Sequence, residues 1–83
     1  MDDIQIQAIG SAISSKTRWK ILQLLKKNEM NESEIAENLG QTQANISAQI
    51  KILFAAGLID SRYEPGEHGV QRLCKARKIT LQL

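Results

Sequence analysis

Cysteine, proline and aromatic residues are nearly missing from this 83-residue chain, which has one cysteine (Cys74), one proline (Pro65) and three aromatics, Trp19, Phe54 and Tyr63. A single cysteine excludes an internal disulfide framework and fits a reducing cytoplasm. No long apolar run is present either. The longest, Ile52 to Ile59, contains Gly57 and falls far short of the roughly 20 residues that cross a bilayer. The start, Met1-Asp2-Asp3, has neither the basic opening nor the apolar stretch of a secretion signal. Charge of one sign is equally scarce: 11 basic against 9 acidic residues leave +2, so the distribution of charge must carry any argument about a polyanionic partner. At 42% apolar and 24% charged, the chain is too hydrophobic to be disordered. The expectation is one soluble cytoplasmic domain over residues 1–83.

What is abundant is aliphatic. Isoleucine and leucine together number 20, which predicts an aliphatic core of modest size, aided by a partner chain. Ile6, Ile9 and Ile13 recur on one helical face, with Asp2 and Asp3 suited to the helix N-terminus. The alternation Ile4-Gln5-Ile6-Gln7 leaves a short strand open. Residues 15–27 predict a second helix, capped by Ser15, with Trp19, Leu22 and Leu25 as its inward stripe, Ile21 and Leu24 beside them, and Lys26 and Lys27 in the last turn. A short helix opens at Asn31-Glu32-Ser33-Glu34, turns Ile35, Ala36 and Leu39 inward and stops at Gly40. Thr42 then caps a helix whose Ile46, Ile50 and Leu53 face inward. Beyond Gly57 the pattern becomes extended, with strands over 58–63 and 70–75 and a further alternating segment, Ile79 to Leu83. The loop 64–69 carries Pro65-Gly66, a type II turn signature.

Two helices joined by a tight glycine turn over residues 31–56, followed by wing strands over 58–83, predict a mainly α winged helix-turn-helix. The bracing helix supports a second helix that can lie in a DNA major groove. Opposite Ile46, Ile50 and Leu53 that helix presents Ala44, Ala48, Lys51 and Ala55, flanked by Asn45 and Ser47, with Gln43 in its first turn and Gln49 turned partly inward. No acid lies between Gln41 and Ile59, whereas Glu29, Glu32, Glu34 and Glu37 crowd the bracing helix. Small alanines permit close approach to bases, and Asn45 can pair with adenine. A solvated polar face is the plainer reading, but such faces usually carry Glu/Lys pairs. From Arg62 onward there are five bases (Arg62, Arg72, Lys75, Arg77, Lys78) and two acids, which favours the strands over the acidic turn as phosphate contacts. A charged edge that discourages strand aggregation accounts for the same residues.

The stretch 11–59 resembles winged-helix repressors of the arsenic-repressor (ArsR) type. The resemblance rests on Ser15-Lys16-Thr17-Arg18 leading into Ile21-Leu22, on Glu34-Ile35-Ala36 before Leu39-Gly40, and on Ile46 to Leu53 running into Ala56-Gly57-Leu58-Ile59. It implies a homodimeric, sequence-specific transcriptional regulator of double-stranded DNA, more often a repressor than an activator. Thr42, Gln43, Asn45, Ser47 and Ala48 fall where the family's recognition helix contacts DNA, Gln49 stands where many members carry histidine, and Arg18 matches a conspicuous family arginine. Lys16 and Arg18 are expected to neutralise phosphates. The metal-sensing members' paired cysteines or His/Asp/Glu clusters are not matched, and one cysteine with one histidine cannot build a closed thiolate site; no metal or other cofactor is expected. Cys74 reads as a small apolar residue of the hairpin, with redox sensing as the lesser reading, and His68 as an exposed loop residue.

Ile6, Ile9 and Ile13 on residues 1–13 are the expected dimer contact. Closure of the monomer core by the same isoleucines, or pairing of Ile79 to Leu83 across the dimer, are the competing readings. Enzymatic function is not expected: nucleophilic catalysis needs a base beside the nucleophile, and the only histidine adjoins a turn glycine. The rival to a DNA-binding regulator is a winged-helix adaptor that binds protein, with an RNA or Z-form duplex binder third.

Overall fold

Four helix N-termini are capped by four side-chain oxygens, each accepting a backbone N–H three residues on. Asp2 accepts from Gln5 at 2.7 Å, Ser15 from Arg18 at 3.3 Å, Asn31 from Glu34 at 2.8 Å and Thr42 from Asn45 at 3.1 Å. At Asn31 the exchange is reciprocal, since its own N–H donates to the Glu34 carboxylate at 3.1 Å. These caps open α1 (Asp3–Ile13), α2 (Lys16–Lys27), α3 (Glu32–Leu39) and α4 (Gln43–Ala55), which are followed by β1 (Ile59–Gly66) and β2 (Gly69–Ala76) in the computed structural model. Residues 2–78 are described, so the expected segment Ile79 to Leu83 lies outside the described residues.

The core is aliphatic, as the composition predicts. Ile21, Leu22 and Leu25 from α2 meet Ile35 and Ala36 from α3 and Ile46, Ile50 and Leu53 from α4, with Ala12, Ala56, Leu58, Ile59 and Cys74 closing around them. Each fully buried Ile or Leu contributes about 1.5–3 kcal/mol. None of the three aromatics joins this core. Trp19, expected on the inward stripe, is 51% exposed. At 100° per residue it stands about 115° from the middle of the Ile21, Leu22, Leu25 face, so the buried stripe passes it by.

The first segment is helical throughout, which removes the strand alternative. Its isoleucines divide: Ile9 is half-buried against the core, whereas Ile4, Ile6 and Ile13 remain exposed. Ile9 therefore packs against the chain's own core, and Ile6 and Ile13 are left exposed.

The hairpin is longer than expected and turns elsewhere. β1 and β2 pair antiparallel from Ile59 opposite Ala76 to Gly66 opposite Gly69, leaving Glu67-His68 as a two-residue turn. Pro65 and Gly66 belong to the ladder instead of forming a type II turn, and Gly69, not Gly66, has the positive φ (114°). The register explains the tolerance of proline. Antiparallel pairs alternate between hydrogen-bonded and non-hydrogen-bonded, and counting from the turn-closing pair puts Pro65 opposite Val70 at a non-hydrogen-bonded position. There the missing N–H costs the ladder nothing. By the same count Cys74 points its N–H and C=O away from β1, and both bond Met30.

Candidate nucleic-acid interface

The turn between α3 and α4 is three residues long. Gly40 adopts φ 63°, and the N–H of Gln41 donates to Ala36 O at 3.0 Å, which closes α3 so that α4 can leave across it. Ile46, Ile50 and Leu53 are fully buried and fix the rotation of α4 about its axis. Ala44, Asn45, Ala48, Lys51 and Ala55 consequently face outward, with Thr42 and Gln43 exposed at the helix start. Ser47 is half-buried at the margin, a less open position than the sequence suggests. The outward face holds no acid, and the free N–H groups of the first turn add partial positive charge. Gln43 is reached by the Ser33 hydroxyl, which donates to its Oε1 at 3.1 Å and ties the start of α4 to α3.

A row of amides runs along the side of α4 that faces α1 and α2. Gln49 Nε2 donates to Asn45 Oδ1 at 3.2 Å, Asn45 Nδ2 to Gln41 Oε1, and Gln41 Nε2 to the Thr17 hydroxyl at 3.3 Å. Arg18 Nη1 donates to Gln49 Oε1 at 2.7 Å, while its Nε donates to Ala12 O at 2.6 Å and its Nη2 to Ser11 O at 3.2 Å. Arg18 is therefore engaged with three neutral protein acceptors; neighbouring Lys16 is exposed. Charge counting misses this row, although the spacing of Gln41, Asn45 and Gln49 at i, i+4, i+8 contains it.

The wing is fastened at its base. Met30 N–H donates to Cys74 O, and Cys74 N–H to Met30 O, joining the α2–α3 connection to β2. Arg62, expected on DNA, is paired with Glu29 at 2.9 Å and Glu64 at 3.0 Å. The hydrogen bonds it donates to Glu64 and Glu29 hold its guanidinium above its ordinary pKa, so its charge is answered within the protein. Arg72 stacks over Phe54 at 5.3 Å from the ring centroid, and its Nε is buried with no acceptor among the described residues. Lys75 is exposed, and Arg77 reaches Asp60 only at 3.9 Å. Cys74 is fully buried and His68 is exposed on the turn. Burial pushes the Cys74 thiol above its ordinary pKa.

The bracing helix and the outward polar face lie within a stretch that is matched by sequence. The model of the bacterial regulatory proteins of the arsR family fits residues 15–61, from the cap of α2 into β1. The chain belongs to the ArsR family. Its fold is that of a winged helix-turn-helix DNA-binding transcription regulator. HlyU from Vibrio cholerae superposes on this ArsR-family chain with a TM-score of 0.79 at 21% identity, over 94% of this chain and 83% of that one. The homodimeric winged helix-turn-helix DNA-binding domain Mb0332 from Mycobacterium bovis gives 0.79 at 24% identity, covering 92% and 72%. The transcriptional repressor BigR from Xylella fastidiosa gives 0.76 at 18% identity, covering 89% and 71%. Compared by sequence with curated proteins, the chain matches none.

Proposed function

We propose that this ArsR-family chain is a homodimeric, sequence-specific transcriptional repressor that inserts residues 42–51 into the DNA major groove. The observation that carries the reading is the outward face of α4: exposed, free of acid, and built of Thr42, Gln43, Ala44, Asn45, Ala48 and Lys51. Ser47 contributes from the margin. Asn45 supplies a donor and an acceptor for adenine, and the alanines bring the backbone close to base edges and thymine methyls. Lys16 and Arg72 are assigned to phosphates, whereas Arg62 is held by its carboxylates.

The exposed Ile6 and Ile13 on α1 supply an apolar surface for a second copy. A two-fold pair sets two α4 helices about 34–36 Å apart, one DNA turn. The likeness to Mb0332, a homodimeric domain, and to BigR, a repressor, supports the same assignment. The protein works in the cytoplasm, with DNA as ligand and no reaction of its own.

The test is a salt titration against labelled DNA from the gene's own upstream region and an unrelated duplex. Preference for the upstream region is expected, with log affinity falling against log salt by about 0.9 for each phosphate neutralised. Asn45→Glu and Ala48→Glu should each weaken binding more than about tenfold while leaving the thermal melt in place. Absence of binding to either duplex at low salt would overturn the reading in favour of a protein-binding adaptor.

A further inference from the structure

The three donors that Arg18 spends on protein have a directional consequence. Its Nε and Nη2 meet the carbonyls of Ala12 and Ser11 in the last turn of α1, the helix end that carries partial negative charge. Its Nη1 meets Gln49. Arginine donates and never accepts, so Gln49 must turn its oxygen toward Arg18 and its nitrogen toward Asn45. Asn45 must then turn its oxygen to Gln49 and its nitrogen to Gln41. Gln41 in turn faces Oε1 to Asn45 and Nε2 to Thr17, whose hydroxyl can accept. One cation thus sets the orientation of three amides that could each otherwise flip.

We infer that Arg18 is a positioning residue for base recognition: anchored on the end of α1, it polarises the Gln49–Asn45–Gln41 row and so sets which edge Asn45 offers to a base. This rests on α4 being the groove helix. After its two bonds within the row, Asn45 retains one N–H and one lone pair, the complement an adenine edge requires. With the row's direction undetermined, the donor and acceptor exchange places and the preference for that base is lost, with no change in the number of phosphates held. Because the anchor lies on α1, the row also ties the orientation of Asn45 to the helix that bears Ile6 and Ile13.

The experiment uses a duplex selected by the unaltered protein from a random pool, and the same duplex scrambled. Affinity for both is measured across salt for Arg18→Ala, Arg18→Lys, Gln49→Ala and the Arg18→Ala/Gln49→Ala pair. A fall of about tenfold in the selected-to-scrambled ratio is expected for each, with an unchanged salt slope. Lysine is expected not to restore the ratio, because a point ammonium cannot span two carbonyls and an amide. The pair should be no worse than either single change. Gln49→Ala keeps the α1 anchor intact and so reads the row even where Arg18→Ala loosens the fold. An unchanged ratio in Gln49→Ala overturns the inference. So does a pattern in which Arg18→Lys binds fully and Arg18→Ala loses about one phosphate of slope equally on both duplexes. If the unaltered protein selects no duplex, the groove-helix reading falls before any substitution is made, and this inference falls with it.

Discussion

Met30 and Cys74 exchange backbone hydrogen bonds in both directions, 3.0 Å from Met30 N–H to Cys74 O and 2.8 Å from Cys74 N–H to Met30 O. This one-residue bridge fastens β2 to the chain between α2 and α3, so the wing does not hang from its hairpin alone. Met30→Pro removes one donor and leaves the buried Cys74 carbonyl unpaired, which should cost about 1–3 kcal/mol. Met30→Leu keeps the backbone and nearly the volume, and should cost less than about 1.5 kcal/mol. Urea melts read both, as a lower midpoint at unchanged slope for the proline variant.

The Cys74 thiol, raised above its ordinary value of 9.0 by burial, makes stability depend on alkaline pH. A raised folded pKa gives a contribution that is complete below the unfolded pKa and lost as pH climbs toward the folded one, because the unfolded chain releases its proton first. Stability of the unaltered protein should therefore fall more steeply above the ordinary thiol range than that of Cys74→Ala. Denaturant midpoints across that range give the comparison. Cys74→Ser places a hydroxyl among apolar neighbours and should cost about 1–3 kcal/mol at neutral pH. In the native state the thiol should react with a disulfide reagent only as fast as the wing opens.

Gly40 has φ 63°, and a Cβ built on it would meet no atom within 4 Å. The penalty for Gly40→Ala is therefore backbone alone, about 1–2 kcal/mol, and Gly40→Asn should cost less. Thermal melts give the order Gly, Asn, Ala. An alanine variant as stable as the parent would mean that the turn relaxes to another geometry.

Ile6→Glu and Ile13→Glu place a charge on the exposed apolar side of α1. Self-association should weaken by about a hundredfold or more, since an unpaired carboxylate would be buried on pairing. Sedimentation should show a lower mass for both variants, and only the unaltered protein should have a melting temperature that rises with concentration. A mass unaffected by either change would remove α1 from the contact.

Residues whose chemistry is local were legible without coordinates. Asp2, Ser15, Asn31 and Thr42 cap because a short oxygen reaches N–H groups three residues ahead, and Gly40 ends α3 because little else takes its φ. The inward face of α4 followed from spacing alone. Trp19 did not, because hydrophobicity cannot tell which margin of a wide stripe a neighbour covers. Pro65-Gly66 reads as a turn from its own dihedral preferences, yet the turn's position is decided by pairing along both strands. Arg62 and Arg18 look like free cations in a charge count. Among their acceptors, Glu29 for one and Gln49 for the other lie 33 and 31 residues away, where only the tertiary fold brings them. The candidate recognition face was therefore readable, and the hold of Arg18 on the amide row beside it was not.

The placement of Pro65 also bears on what the wing avoids. Among the described residues nothing pairs with the outer side of β1, and a bare strand invites sheet growth between molecules. At its non-hydrogen-bonded position the proline nitrogen lies on that outer side, without a hydrogen to give. A foreign strand approaching there finds a gap in the donor pattern next to the turn. The residue that costs the hairpin no bond is the one that withholds a bond from a neighbouring molecule, which favours a wing that stays single at the concentrations a cell maintains.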